Sequence, residues 1–229
     1  MKHFFKYLSF WVLVAACDSG ETLKPADSTR DYFPLRTGQF QIYAINEIRY
    51  QQGLEPETLA YELKTEVVDS FANTAGGTTY VIYRSTRDNP SQSWKFVDTW
   101  SVRNDDNQIV IQEGNTAYMK LVFPLSKKAF WDGNRFNNLE EDEYEVKAFD
   151  EPLTVGGTTF EKTLTIEQEF NDDPIVYTDI RSEVYARGVG LVYKETTQLV
   201  FCQNQNCNSN ELIETGVVYK QEIREYGNL

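Results

Sequence analysis

From Gln39 onward the apolar residues of this chain recur at every second position. In QFQIYAINEIRY (39–50), Phe40, Ile42, Ala44, Ile48 and Tyr50 share one face, interrupted by Asn46. In TAYMKLVF (116–123) the set is Ala117, Met119, Leu121 and Phe123; in VGLVYKETTQLVF (189–201) it is Val189, Leu191, Tyr193, Leu199 and Phe201. Successive side chains of a strand point to opposite faces, so this period builds half-buried strands, and the Thr, Val, Ile, Tyr and Phe content suits them. Turn clusters separate the runs: Ala75-Gly76-Gly77, Asn104 to Asn107, Glu113-Gly114-Asn115, Gly156-Gly157 and Asn171 to Pro174. Such short connections join antiparallel strands, whereas parallel ones need long crossovers. The expected fold is all-β: an antiparallel meander forming a curved sheet, half-barrel or sandwich. Helix is expected only as a single turn, near Ser126 to Phe130 or between Glu55 and Ala60.

One pattern occurs twice. TAGGTTY (74–80) is matched by TVGGTTF (154–160), and Phe-Pro-Leu precedes each, at 33–35 and at 123–125. Paired glycines are expected to supply positive φ in a hairpin turn, with Thr-Thr-aromatic on the returning strand. Two tandem halves, 33–122 and 123–229, are one reading; repeated use of the same hairpin chemistry is the other.

The first 16 residues have the layout of an export signal. Lys2 and Lys6 precede an apolar run, Leu8 to Ala16, that is too short to span a bilayer. Val14-Ala15-Ala16-Cys17 resembles the lipobox of bacterial lipoproteins. The resemblance implies diacylglyceryl transfer to the Cys17 sulfur, cleavage before Cys17 and further acylation of the new amino group. Two or three acyl chains, at about 0.8 kcal/mol per buried CH₂, anchor a protein firmly. An ordinary signal peptide that leaves Cys17 a thiol is the alternative. The organisation expected is a signal peptide over 1–16, a lipidated cysteine and polar tether over 17–31, and one β-domain over 32–229. Lipidation of Cys17 leaves Cys202 and Cys207, and an oxidising compartment favours closing them into a disulfide. A metal or redox pair would want a two-residue spacing and a nearby histidine, and has neither.

Composition narrows the chemistry. The only histidine is His3, inside the signal segment. The remainder therefore holds no Ser-His-Asp or Cys-His machinery and no His-ligated metal site. No serine has a lysine three residues on. Carboxylate chemistry, oxygen-ligated metal or pure binding remain. Without Lys2 and Lys6 the net charge is near −15, from 20 basic against 35 acidic side chains. Such a field repels nucleic acid.

YFPLRTGQFQIY (32–43), FPLSKKAFWDGN (123–134) and YARGVGLVYKE (185–195) resemble landmarks of small uncharacterised lipoproteins of Bacteroidota-type bacteria. These are the FPL-x-x-G opening, the Trp-x-Gly-Asn loop and the Gly-x-Gly-Leu-Val strand. This chain departs at Gln41, where an aromatic is common. The resemblance implies β architecture and a place in the envelope, on the outer membrane. It implies no activity.

Few residues stand out as a site. DGNRFNNLEEDE (132–143) offers Asp132, Glu140 and Asp142 to a calcium ion, but Phe136 and Asn137 break the EF-hand pattern. RGVGLV (187–192) lacks the third glycine and following helix of a nucleotide loop. Glu195 shares an apolar face if its strand is regular; an inward carboxylate needs a partner, and a bulge would turn it outward. Trp94 and Trp100 are spaced to share a strand face, and with Trp131 they suit a core or an apolar pocket. No cofactor is expected. The reading is a membrane-anchored, non-catalytic domain that holds an apolar ligand or an envelope protein. The alternative is a carboxylate-dependent glycan hydrolase, which needs two facing carboxylates.

Overall fold

A computed structural model describes residues 28–74, 76–203 and 212–229. Cys17, Cys207 and the signal segment lie outside them. A 3₁₀ turn, Ser28–Tyr32, leads into twelve strands. The first six are β1 (Gln39–Tyr50), β2 (Glu57–Ala72), β3 (Thr78–Arg87), β4 (Lys95–Asp105), β5 (Gln108–Glu113) and β6 (Thr116–Val122). The second six are β7 (Phe130–Asp132), β8 (Glu143–Val155), β9 (Thr158–Asp173), β10 (Tyr177–Ala186), β11 (Gly190–Phe201) and β12 (Ile213–Asn228). The sheet order is β6-β5-β4-β3-β2-β1-β12-β11-β10-β9-β8-β7, antiparallel throughout.

Except for β6 with β7, every strand thus pairs with its sequence neighbours, and β1 pairs with β12 to join the two ends of the chain. Only the β6/β7 seam lacks a ladder. It is stapled instead: Met119 N donates to Gly133 O (2.8 Å), Trp131 Nε1 to Met119 O (2.9 Å) and Asn137 Nδ2 to Ala117 O (2.9 Å). The expected meander is therefore a nearly closed barrel, which protects the edges an open sheet would expose. The Trp-x-Gly-Asn landmark is this staple. A Cβ on Gly133 would lie 2.4 Å from the Tyr144 ring, so only glycine fits.

The barrel has a floor and a mouth. One rim carries the start of β1, the end of β12 and the β4–β5 and β10–β11 turns. Arg30 Nη1 donates there to Asn104 Oδ1 (3.1 Å) and Asp105 O (3.2 Å), while Gly188 N donates to Asp31 O (2.7 Å). Those turns lie on opposite sides of the ring, so the segment from Ser28 to Leu35 crosses it and closes the floor. Both Phe-Pro-Leu tripeptides belong to this floor: Phe33 packs on Tyr185, and Arg30 stacks over Phe123 at 4.8 Å. Residues 28–31, assigned to the tether by composition, are part of the domain. Ser126 to Phe130 forms a turn and then enters β7, and Glu57 to Ala60 is strand.

Two expectations about turns and faces change. Gly156 and Gly157 both have positive φ (57° and 84°), as a two-residue hairpin requires. In the matching turn only Gly76 does (91°). Gly77 is needed for space, since a Cβ there would sit 2.7 Å from Asn104 O. In β1 the residues facing the barrel interior are Gln41, Tyr43, Glu47 and Arg49, the opposite set to the apolar even-numbered one.

Candidate functional site

The barrel interior is filled on one side by a core that includes Val102, Leu121, Leu164 and Ile166, all fully buried. On the other side it encloses two adjoining chambers, of about 470 and about 510 Å³. They share Glu113, Lys120, Lys194 and Thr196 as lining residues.

The first chamber is apolar and aromatic. Leu63, Ile82, Trp100, Ile111, Leu191 and Val217 line it. Three tyrosines join them with their hydroxyls already engaged: Tyr43 on Leu191 O (3.1 Å), Tyr61 on Glu47 Oε2 (3.3 Å) and Tyr219 on Gln221 Oε1 (2.7 Å). Their rings are left as cavity wall. Burial, then the Glu47 carboxylate, pushes the Tyr61 hydroxyl up to about 12, so it stays protonated. Arg84 stacks over Trp100 at 3.8 Å and pairs with Asp98 at 2.9 Å.

The second chamber is polar and lies toward the mouth. Five carboxylates (Glu113, Glu140, Glu141, Asp142 and Glu169) face three cations there (Lys120, Arg181 and Lys194). Asp142 takes both arms of Arg181, at 2.8 and 3.0 Å. Gln168, only 5 % exposed, lines this chamber with its Nε2 donor unpartnered among the described residues. A buried donor left unmade costs about 1–3 kcal/mol.

Between the chambers sits a buried ionic cluster. Lys120 Nζ is 2.9 Å from Glu183 and 3.3 Å from Glu113; Lys194 is 3.3 Å from Glu183. Tyr185 donates its hydroxyl to the same carboxylate. Burial alone would push the Glu183 carboxyl up. Lys120, then Lys194 and the Tyr185 hydroxyl, outweigh it and hold Glu183 well below the ordinary carboxylate range. Burial would likewise push the Lys120 ammonium down, and Glu183 and Glu113 reverse that. Both groups stay charged.

Backbone irregularities place the key polar groups. The β5–β6 register slips so that Lys120 has no opposite residue, and Met119, Lys120 and Leu121 are all buried. A slip between β9 and β10 leaves Gln168 without a partner in the same way. Gln168 keeps the parity of the buried Leu164 and Ile166, so alternation alone places it inside, whereas Lys120 lies between two buried apolar residues and the sequence carries no signal for its burial.

The residues singled out from sequence fall differently. A slip at Val192 reverses the parity of β11, so Leu191 and then Lys194 and Thr196 line the lumen. Glu195 is on the other face, where it accepts the Tyr193 hydroxyl at 2.8 Å. Trp100 faces the lumen, whereas Trp94 stacks with Arg87 and Lys64 and does not line it. Trp131 is core, at the seam. Asp132 accepts the backbone N–H groups of Asn134 and Asp142, and Asp142 is held by Arg181. Asp132, Glu140 and Asp142 do not converge, and no cluster of three metal-ligating side chains occurs among the described residues. Cys202 ends the β11 region, its N–H donating to Leu212 O at 2.8 Å.

No family model and no curated protein matches the chain. Solved structures similar to it include two from Bacteroidetes. One, provisionally described as an exported protein with a YmcC-like fold, comes from Bacteroides fragilis. It is 14% identical with a TM-score of 0.49, covering 86% of this chain and 98% of that one. The other, provisionally described as a lipoprotein, comes from Parabacteroides distasonis. It is 11% identical with a TM-score of 0.45, and the same shares are covered.

Proposed function

We propose that this protein is an envelope lipoprotein, held on the outer membrane by lipid on Cys17, whose barrel lumen binds an apolar ligand without transforming it. The observation that carries the reading is the aromatic chamber of about 470 Å³ inside a floored barrel. Ligand pockets of this volume, apolar with a few fixed polar groups, bury most of a small molecule's surface. The anchor rests on the signal segment and the Val-Ala-Ala-Cys tetrapeptide.

A glycan hydrolase finds less support in the lumen. Such an enzyme needs a carboxyl group kept protonated to act as acid. Glu183, the most deeply buried carboxylate of the lumen, is held ionised by Lys120 and Lys194.

The test uses an uncharged fluorescent probe, N-phenyl-1-naphthylamine, titrated into the purified chain. One probe should bind per barrel, and Val217→Trp, which projects an indole into the chamber, should weaken binding markedly with little change in melting temperature. Absence of binding, or binding unaffected by Val217→Trp, overturns the reading.

A further inference from the structure

We infer that the ligand is an amphiphile with a neutral, hydroxyl-rich head, its tail in the aromatic chamber and its head in the polar one. This rests on the lumen-binding reading and adds the chemistry of the head.

The two chambers adjoin through Glu113, Lys120, Lys194 and Thr196, so one elongated molecule can occupy both. The tyrosine hydroxyls of the first chamber are engaged, so those residues offer rings to a ligand; Arg84, which also lines it, stacks on Trp100 and pairs with Asp98, with its buried Nε unpartnered among the described residues. The polar chamber selects by charge. Its three cations are neutralised in place: Lys120 by Glu183 and Glu113, Lys194 by Glu183, Arg181 by Asp142 and Asp179. Glu140 and Glu141, near the mouth, have no cation partner among the described residues. An anionic head therefore meets net negative charge with no free cation to receive it.

Gln168 decides between a cation and a neutral head. Its Nε2 is a buried, unpartnered donor on the chamber wall. A quaternary ammonium offers no acceptor. A hydroxyl accepts from Gln168 and donates to the carboxylates, so a polyhydroxyl head answers both demands. The floor is closed by the segment from Ser28 to Leu35, so the head lies toward the open mouth.

The experiment displaces N-phenyl-1-naphthylamine with three amphiphiles of one tail length, each below its micellar concentration: decyl maltoside, decyl sulfate and decyltrimethylammonium. Decyl maltoside should displace the probe at a concentration at least about 10-fold lower than either charged compound. Gln168→Leu should weaken decyl maltoside about 10-fold, the factor that one lost hydrogen bond to a buried donor commonly gives, and shift the two charged compounds less. The double variant Glu140→Gln, Glu141→Gln, both at exposed positions, should narrow the gap between sulfate and maltoside. Equal displacement by all three, preference for a charged head, or a Gln168→Leu variant that discriminates like the parent overturns the inference while probe binding keeps the lumen reading. A chain that binds no probe loses both.

Discussion

The Lys120–Glu183 pair is the most exacting test of the barrel interior. The two side chains are 6 % and 3 % exposed and 2.9 Å apart. Removing one partner of a buried pair costs about 3–5 kcal/mol, because the other charge is stranded. Here each charge keeps a second contact: Glu183 keeps Lys194 and Tyr185, and Lys120 keeps Glu113. The expected loss for Lys120→Met or Glu183→Gln is therefore at the lower end, about 3 kcal/mol. With a urea m-value of about 2–3 kcal/mol per M, each single variant lowers the midpoint by roughly 1–1.5 M. Lys120→Met with Glu183→Leu strands neither of the two deeply buried charges and leaves only the more accessible Glu113 and Lys194 without these partners, so its loss should be below the sum of the singles. The pH dependence has a definite sign. Glu183 has a folded-state pKa below its ordinary 4.5, so its stabilisation is complete above that value and is lost as pH falls below it. Lys120 is raised above its ordinary 10.5, so its stabilisation is complete below 10.5 and is lost only as pH rises beyond it. The parent should therefore weaken more steeply than the double variant as pH falls below about 4.5. Single variants within 0.5 kcal/mol of the parent, or a double variant as costly as both singles together, would refute the reasoning.

Three further outcomes are expected. Cys17→Ser should leave the chain unprocessed or release it from membranes into the soluble fraction; unchanged detergent partitioning and processing would contradict lipidation. Cys202 and Cys207 should be joined after oxidative export, so intact mass should fall by two hydrogens relative to the reduced chain, and two alkylatable thiols would refute the pairing. Gly77→Ala should destabilise by about 1–3 kcal/mol through overpacking, since its Cβ would lie 2.7 Å from Asn104 O and from Asp105 Oδ1; a melting temperature equal to the parent's would show that the turn has room.

Architecture was legible because it rests on local rules that hold for most residues of each strand. Period-two alternation and turns of Gly, Asn and Asp indicated antiparallel neighbours. Closure was not legible. It depends on β1 meeting β12, a pairing between the two ends of the chain that no local pattern encodes. The floor escaped for a related reason. Residues 28–31 are polar and read as tether, yet Arg30 and Asp31 act through two hydrogen-bonded turns far away in sequence. The landmarks Phe-Pro-Leu and Trp-x-Gly-Asn were visible as motifs, but their roles as floor and seam appear only once the ring is assembled.

The candidate site was illegible for a sharper reason. Parity within a strand predicts which face a residue takes only while the register is regular, and one slip inverts every position beyond it. The slip at Val192 moves Glu195, the carboxylate that alternation placed inward, to the other face, and brings Lys194 into the lumen. The slip at Lys120 buries a cation between Met119 and Leu121, in a segment that reads as ordinary apolar alternation. Gln168 differs: it has no β10 partner but keeps the parity of Leu164 and Ile166, so alternation places it inward and only its polarity hid it. At Lys120 and Lys194 the irregularity is where a cation enters the lumen. β1 shows a second route: it alternates regularly, yet turns Gln41, Tyr43, Glu47 and Arg49 inward rather than its apolar even-numbered set. The polar groups of the lumen thus come both from register slips and from strands whose polar face turns inward, and only the assembled ring shows which face that is.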